Sequence, residues 1–443
     1  MALKIVDTAS LDAVANAINE SAGTSGAISF PDGFVEKIGE LSSSKLAKRA
    51  NGTITEITEK DLDGVTTIIG YAFYNCRLQK VTMPDTVVEV QTGVFTWCTN
   101  IKSIKLSKNL QKCGHNAFEY VREMPQIDLP DSITSFGDVC FGNCWVLGEL
   151  KIPNGVTTIP QRFVEYCREL KAFDLTSYGQ DKSLPTLANV SAFTGTPTDM
   201  KIIVPIGRKS ALAGMTNWSN FANKILEFDK DVATEGLLID YSSDGTKLVC
   251  SGWDEYAGAE IPPYLVIPKD DGDGNYILEV TASAFSGNTQ IVRVYLNNVK
   301  IVGDYAFQNC TSLSYVDAPN VTTLGRDAFV KSNITNIELP NLMVASYDAF
   351  VSCEKLKRAN LGNVSSIRNY CFTNCFEFDT LILPNTERIT TLESTNAFWY
   401  ATKFEEGTGY IYVPRALLNS YKTATNWSNF ANQFRAIEDY PNI

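Results

Sequence analysis

The sequence predicts an α/β-type repeat solenoid built as two arrays. An anchoring Phe recurs every 21 to 23 residues over two long stretches. Beside each Phe lies a short segment in which apolar and polar residues alternate with the period of a β-strand. The octapeptide TNWSNFAN occurs at both 216–223 and 425–432, so two related units must share it. We therefore expect an N-terminal segment at 1–52, a first array at 53–229 and a second array at 230–443.

Residues 1–52 lack the repeat and are predicted to be helical. SLDAVANAINE (10–20) has the spacing of an amphipathic helix with Ser10 as its N-cap, and FPDGFVEKIGEL (30–41) predicts a second helix. The stretch 11–38 resembles a short N-terminal module of tail-associated structural proteins of phages that infect gut Gram-positive bacteria. That resemblance implies a virion component. It would account for the lack of a visible secretory signal, for which removal of a leader is the alternative.

The repeat itself reads I-x-x-x-A-F-x-x-C-x-x-L-x-x-[IV]-x-[LM]-P. Its end, as in LQKVTM (78–83) and ITNIEL (334–339), predicts a short strand that Pro or a polar residue ends. Its A-F-x-x-C part has helical spacing and predicts a helical or 3-10 turn. One rung cannot bury its own apolar face, so rungs must stack and their strands must form a parallel sheet. The anchoring residues are Phe73, Phe95, Phe118, Phe141 and Phe163, then Phe285, Phe307, Phe329, Phe350 and Phe372.

The signature segments AFYNC (72–76), AFQNC (306–310) and AFVSC (349–353) resemble the BspA-like leucine-rich repeat family of bacterial surface proteins. The resemblance covers about residues 53–443. It implies two leucine-rich repeat arrays with parallel β-sheets and free thiols stacked inside the coil. Two rungs depart from the pattern and are expected to be irregular. No Cys follows Phe118 at the usual place, and Cys167 lies one place late after Phe163.

Each octapeptide follows a strand that ends at Pro and a helical segment, and an apolar stretch comes after it. The last rung of a solenoid exposes its apolar face, so a cap is needed there. We expect Trp218 and Trp427 to plug the open ends, while the neighbouring Asn and Ser side chains bond orphan backbone groups. The resemblance to BspA-like arrays agrees with this strand–helix cap. An aromatic sugar-binding patch is the rival interpretation.

The acidic stretch DDGDGN (270–275) near the start of the second array invites a calcium interpretation. An EF-hand loop that begins at Asp271 would need Gly where Tyr276 stands and Glu where Ala282 stands. A polar turn between two strands is therefore expected, and no metal site is predicted.

Composition excludes several functions. The net charge of −12 makes nucleic acid a poor partner, and no apolar stretch is long enough to insert into a membrane. The eleven Cys are expected to be buried, reduced thiols. The single His, His115, lies two residues from Cys113, where side chains usually diverge. With no other catalytic motif present, we predict no enzyme, no catalytic residue and no cofactor.

The outward residues of the strands are the candidate binding site. In the first array they are Lys80, Thr82, Ser103, Lys105, Gln126, Asp128, Glu149 and Lys151. In the second array they are Arg293, Tyr295, Tyr315, Asp317, Asn336, Glu338, Arg358 and Asn360. Because Tyr and Arg are common at binding hot spots, the second set is predicted to be the ligand face.

The function expected from these features is attachment to a host protein or glycan, without catalysis, from a cell surface or a virion. A structural spacer, possible also in a phage tail, is the alternative. The oligomeric state is not predicted.

Overall fold

The computed structural model describes residues 55–243, 245–254 and 260–440. The two helices expected in residues 1–52 lie outside this range, as does the phage-like stretch. Contacts divide the chain into two compact units, Met1–Phe228 and Asp229–Ile443. In both, the described residues form stacked rungs, and each regular rung contributes a strand to each of two sheets.

The first sheet of each unit contains the strands predicted from the repeat motif, and we call it the motif sheet. In the first unit it has two parts, which contain Glu56–Ile57, Lys80–Thr82 and Ser103–Lys105, and then Glu149–Lys151, Ala172–Asp174, Lys201–Pro205 and Ile225–Phe228. In the second unit it is a continuous parallel sheet of eight strands. These are Tyr264–Val266, Arg293–Tyr295, Tyr315–Asp317, Asn336–Leu339, Arg358–Leu361, Thr380–Ile382, Tyr410–Val413 and Phe434–Ala436.

A second sheet runs through each unit, and we call it the companion sheet. The sequence analysis did not predict it, because most of its strands have only two residues and show no periodicity. In the first unit it has two parts, which contain Thr67–Ile68, Glu89–Val90, Lys112–Cys113 and Ser135–Phe136, and then Thr158–Ile159 and Thr186–Leu187. In the second unit they are Leu237–Tyr241, Leu248–Trp253, Ile277–Val280, Ile301–Val302, Thr323–Leu324, Val344–Ala345, Ser366–Ile367 and Thr391–Leu392. The first two of these eight are antiparallel and begin the array.

Helices among the described residues are short. The α-helices are Lys209–Ala213, Thr402–Glu405 and Leu418–Thr423. The 3-10 helices are Glu59–Leu62, Val190–Phe193, Trp218–Lys224, Thr395–Phe398, Arg415–Leu417, Trp427–Gln433 and Ile437–Asp439.

A proline interrupts the motif sheet of the first unit. The strand expected at Gln126 and Asp128 is absent. In the rung before, the amide of Lys102 donates to the carbonyl of Gln79, and in the rung after, that of Gly148 donates to the carbonyl of Pro125. Pro125 occupies the equivalent position but has no N–H to donate, so the ladder breaks there.

The anchoring Phe residues form a stacked spine through each unit. Successive ring centroids from Phe73 to Phe141 lie 5.3 to 5.6 Å apart, and those from Phe285 to Phe372 lie 5.3 to 5.7 Å apart. Phe398 continues the second spine at 5.9 Å. All of these rings are buried. The spine therefore runs through the core of each unit.

The Phe163 rung differs from the prediction by one residue. The amide of Phe141 bonds the carbonyl of Phe163, and the amide of Val164 bonds that of Ala192. In neighbouring rungs the anchoring Phe donates in this way, so Val164 occupies the anchor position and Phe163 the position of the preceding Ala. Phe163 accordingly meets Phe141 edge-on at 84°. Cys167 is then three residues after the anchor, as in the other rungs.

The A-F-x-x-C segments are successive tight turns where helical or 3-10 turns were expected. Two residues per rung, such as Tyr71 and Asn75 in the first, have a left-handed backbone with φ of 59° and 52°. Residues of this conformation reverse the chain direction and cannot continue a right-handed helix.

The predicted thiol ladder is confirmed. All eleven Cys are free, and all but the half-buried Cys76 are buried. In six rungs the Cys thiol donates to the carbonyl of the anchoring Phe one rung earlier, with S–O distances of 2.8 to 3.2 Å. These donors are Cys98, Cys144, Cys167, Cys310, Cys353 and Cys375. The thiols therefore join neighbouring rungs without disulfides.

Both octapeptides form the predicted caps. The indole N–H groups of the buried Trp218 and Trp427 donate to the carbonyls of Pro185 and Thr390, at 2.8 and 2.6 Å. Asn217 donates from its side chain to the carbonyls of Leu187 and Ala188, and Asn426 donates to those of Leu392 and Glu393. The orphan carbonyls at the end of each companion sheet are thereby satisfied.

Candidate ligand-binding face of the second array

The eight predicted residues lie together on one face of the second motif sheet. Strand register aligns Tyr295, Asp317, Glu338 and Asn360 in one continuous row. The register of the same strands places Arg293, Tyr315, Asn336 and Arg358 in a parallel row. The residues between them, such as Val294 and Ile337, are buried in the core. Alternation along each strand thus presents two rows of polar and aromatic side chains to one side.

The first two rungs of this face form an aromatic and cationic cluster. The guanidinium of Arg293 lies 4.8 Å from the ring centroid of Tyr315 and 5.6 Å from that of Tyr264. The rings of Tyr295 and Tyr315 are 5.9 Å apart. Burial raises the pKa of the Tyr315 phenol, Asp317 adds to the rise and Arg293 opposes it. The cluster presents π faces and hydroxyl groups beside a positive charge, a combination suited to recognition.

The next two rungs are polar. Arg358 forms an ion pair with Glu338, and burial lowers the pKa of Arg358. Burial also raises the pKa of Asp317, which Lys230 partly offsets. Asn336 is exposed, whereas Asn360 is half-buried. The face therefore carries side chains of both charge signs.

The chain that enters the second unit covers one end of the sheet. Thr234 makes two hydrogen bonds with the backbone of Val266, of 3.1 and 2.7 Å, and Asp231 pairs with Lys269 at 2.7 Å. Val266 aligns with Tyr295 in the same row, yet it is 1% exposed. The accessible part of the face consequently begins at the Arg293 rung.

Sequence analysis missed a second aromatic cluster at the other end of the face. Tyr410 and Tyr412 belong to the strand before the cap, and Tyr412 aligns with Arg435 of the last strand. The guanidinium of Arg435 lies 4.3 Å from the ring centroid of Tyr410, and Tyr440 packs edge-on against Tyr412. The alternating pattern YIYV (410–413) places both tyrosines on one side of a strand. The sequence analysis assigns this segment to the cap and therefore does not include it in the binding face.

A different aromatic column lies in the turns of the first array, away from its motif sheet. Trp97 and Tyr120 stack with centroids 3.8 Å apart, and their φ angles of 64° and 61° are left-handed. The guanidinium groups of Arg122 and Arg168 lie 3.9 and 4.6 Å from the ring centroid of Trp145. The column links four successive rungs. Spacings of 23 residues between its members were visible in the sequence.

The face of the first motif sheet has a simpler composition. Lys80 pairs with Glu56 at 3.8 Å and Lys105 with Glu59 at 3.0 Å. Glu149 is buried although it was expected to point outward. The eight outward residues predicted for this face include no aromatic side chain. Pro125 divides the sheet into two parts, so it offers a less continuous surface than the second array.

The two features that invited other chemistry have structural roles. His115 is largely exposed and its Nδ1 accepts a hydrogen bond from the amide of Asp138 at 3.1 Å, whereas Cys113 is buried in the core. In the DDGDGN turn, the Asp271 carboxylate accepts hydrogen bonds from Asp273 and Asn275. Among residues 55–243, 245–254 and 260–440, no three His, Cys, Asp or Glu side chains form a metal-binding group.

Within that same part of the chain, no helix is both long enough and apolar enough to cross a bilayer.

Family comparison agrees with this architecture. The family model described as the BspA type leucine rich repeat region matches six copies, over residues 66–184 and 279–405, which is more than half of the chain. The protein belongs to this family of leucine-rich repeat proteins, which is in general a non-enzymatic class. The match begins after the phage-like stretch, and that resemblance receives no support. A search of curated proteins found no match.

Solved structures that are similar to the chain include three bacterial leucine-rich repeat proteins. A leucine rich cell surface protein from Faecalibacterium prausnitzii is 22% identical, over 76% of this chain and 86% of that one, with a TM-score of 0.28. A leucine-rich repeat protein from Bacteroides ovatus is 19% identical, over 82% and 84%, with a TM-score of 0.28. A leucine rich repeat protein from T. pallidum is 19% identical, over 41% of this chain and 81% of that one, with a TM-score of 0.33.

Proposed function

We propose that this protein acts without catalysis at a bacterial surface and attaches to a host protein or glycan through the motif sheet of the second array. The observation that carries the proposal is the alignment of eight outward side chains in two rows on one continuous sheet. Arg293, Tyr295 and Tyr315 are the expected anchors, and the polar residues that follow them supply hydrogen bonds.

The shape of the face supports a large partner. The apolar residues of the rungs are used in stacking, so the outward surface is broad, as in protein or polysaccharide recognition. Small substrates usually need a deep pocket with convergent catalytic groups. Family membership also favours a surface location, since BspA-type leucine-rich repeat proteins are typically found at the cell surface.

A structural spacer is the alternative, and one observation favours it. Arg358 is paired with Glu338, and Arg293 lies over the rings of two neighbouring tyrosines. Charged side chains that already interact with one another are less available to bind a partner. The spacer interpretation applies equally to a cell-surface protein and to a virion component.

Binding to host cells and to a glycan array distinguishes these functions. We expect the full chain to bind, and the double variant Tyr295→Ala, Tyr315→Ala to lose most of the signal, because the pair supplies the aromatic contact area of the face. The matched control Lys80→Ala, Lys105→Ala alters the exposed face of the first array and should keep full binding.

Loss of binding in the lysine control alone would place the site on the first array. No binding by the unmodified chain to any cell or glycan would favour the spacer. Turnover of a polymer by the purified protein would overturn the non-catalytic class.

A further inference from the structure

A cleft opens at the edge of the second motif sheet, where three consecutive strands end. It has a volume of about 390 Å³. Asn360, a member of the candidate face, belongs to its lining. The other lining residues are Pro340, Gly362, Asn363, Pro384, Asn385, Thr386 and Glu387.

An insertion accounts for the cleft. Two residues separate Asn363 from the next strand, Ser366–Ile367, whereas five separate the equivalent Asn385 from Thr391–Leu392. The longer loop is held by the Asn385 side chain, whose Oδ1 accepts hydrogen bonds from the amides of Glu387 and Arg388 at 2.9 and 3.2 Å. Insertions in one repeat of a solenoid often form part of a binding surface.

An asparagine ladder stops at the same place. In three earlier rungs, Asn297, Asn320 and Asn341 donate from their side chains to a backbone carbonyl of the preceding rung, at 2.7 to 2.9 Å. Asn363 is the next member in sequence, but its side chain makes no such bond among the described residues. Gly362 lies against the backbone of Pro340, and Arg388 donates to the carbonyl of Asn363 at 3.0 Å. The amide of Asn363 is therefore left at the cleft.

The amide of Asn360 supplies the second polar group. Its Oδ1 is sealed from solvent and has no hydrogen-bond partner within the described part of the chain. A buried acceptor without a partner costs stability. Asn360 lines the cleft, and because the terminal torsion of Asn is broad, rotation of the amide can exchange the positions of its oxygen and nitrogen and present either one to a bound ligand.

We infer that this cleft binds one neutral sugar unit of a glycan. The Asn360 oxygen and the Glu387 carboxylate accept hydrogen bonds, the Asn363 amide both donates and accepts, and Pro340 and Pro384 are apolar lining residues. Sugar hydroxyls can donate to such acceptors, whereas an anionic group would face the Glu387 carboxylate with no cationic side chain in the lining. The volume lies near the lower end of the range for small-ligand pockets. This inference rests on the proposed function and narrows the proposed partner to a glycan that contains neutral sugar units.

The experiment measures binding of neutral mono- and disaccharides to the full chain by saturation-transfer NMR and calorimetry, with uronic and sialic acids as comparison ligands. We expect neutral sugars to bind. Glu387→Gln and Asn360→Ala should each weaken binding about tenfold or more, the size expected when a hydrogen bond to a charged or buried group is lost. Thr386→Phe should abolish binding by filling the cleft from an exposed position. Glu354→Gln, which removes an exposed carboxylate of the same array outside the cleft, should bind like the unmodified chain.

Equal binding by all four variants, or a preference for the acidic sugars, would overturn the inference. Thermal unfolding of each variant shows whether a loss reflects misfolding, and the Thr386→Phe variant tests occupancy independently of the two polar groups. If no sugar binds while attachment to host cells still depends on Tyr295 and Tyr315, the cleft assignment fails and the proposed function stands. If sugars bind at the cleft but attachment to host cells does not require Tyr295 and Tyr315, the cleft assignment is supported and the proposed binding role of the wider face is wrong.

Discussion

A buried indole closes each unit, and its contacts explain why Trp was needed. The ring of Trp427 meets Phe398, Phe430 and Phe434 with centroids 5.7 to 6.4 Å away, and its N–H satisfies the carbonyl of Thr390. A smaller apolar residue would leave a cavity at the end of the spine and a carbonyl without its donor.

Replacement of this indole should therefore be costly. We expect Trp427→Ala to lower the free energy of unfolding by about 3–5 kcal/mol, the usual range for a buried Trp. Urea denaturation measures it, and Trp399→Ala, at an indole that is 47% exposed, is the control with little expected change. If Trp427→Ala lowers the free energy of unfolding by less than about 1 kcal/mol, the indole does not stabilise the cap as proposed.

Thiol reactivity reports on the ladder. In the native protein a thiol reagent should modify Cys76, which is half-buried, and leave the ten buried Cys unmodified until denaturant is added. Native modification of most of the eleven, or disulfides found by mass spectrometry, would contradict the ladder.

The same thiols make stability depend on pH. Burial raises the pKa of Cys250, Cys310 and Cys353 to about 12, while an unfolded thiol titrates near pH 8.5. Above that pH the unfolded chain releases protons that the folded chain keeps, so stability falls as pH rises. Each such thiol contributes at most about 1.4 kcal/mol per pH unit. We expect the urea midpoint to decrease from pH 8.5 to 10.5, and a Cys310→Ala variant to show a shallower decrease. A flat profile would contradict this.

Among the elements, the strands of the motif sheet were predictable and those of the companion sheet were not. A motif such as ITNIEL alternates long enough to reveal its period, whereas Thr323–Leu324 is a strand only because its neighbours hold it in register. The exchange of Phe163 and Val164 was hidden for a related reason. Both residues are apolar, and only the backbone register shows which one occupies the anchor position.

The candidate face shows the same limit. Outward positions follow from alternation, so the eight residues could be placed from sequence. The cover over Val266 could not, because it depends on hydrogen bonds between Val266 and Thr234, which lies more than 30 residues earlier. The cleft depends on an insertion whose loop conformation is fixed by Asn385, and a loop of that kind has no periodicity to interpret.

Close stacking of the rungs leaves no room for a side chain at one glycine of this region, Gly362. A Cβ added to Gly362 would overlap the carbonyl of Pro340, whereas one added to Gly148 would lie 3.9 Å from the carbonyl of Pro125. We expect Gly362→Ala to destabilise the second unit by roughly 1–3 kcal/mol through overpacking. Gly148→Ala should change stability by less than about 0.5 kcal/mol. Chemical denaturation compares the two variants, and equal effects would show that the rungs at the cleft can separate.

At the scale of the whole molecule, each unit has its own Phe spine, its own pair of sheets and its own cap. We therefore predict that the fragment 229–443 folds alone and unfolds cooperatively, since a unit with its own core is the usual condition for an independent domain. Calorimetry of the fragment and of the full chain tests this. Trp427→Ala should shift the transition that they share and leave the remaining transition of the full chain in place. A fragment without a cooperative transition would make the two arrays one folding unit.

The way in which the caps are held also bears on how such proteins change in length. Asn217, Asn426 and the two indoles bond main-chain carbonyls, and the indoles pack against aromatic rings at the end of each spine. Every rung that keeps the repeat offers the same carbonyls and a ring at the same place. If whole rungs upstream were duplicated or lost, the cap could therefore still pack on the new last rung. Gene rearrangements of about 22 codons can thus lengthen or shorten an array without the evolution of a new cap.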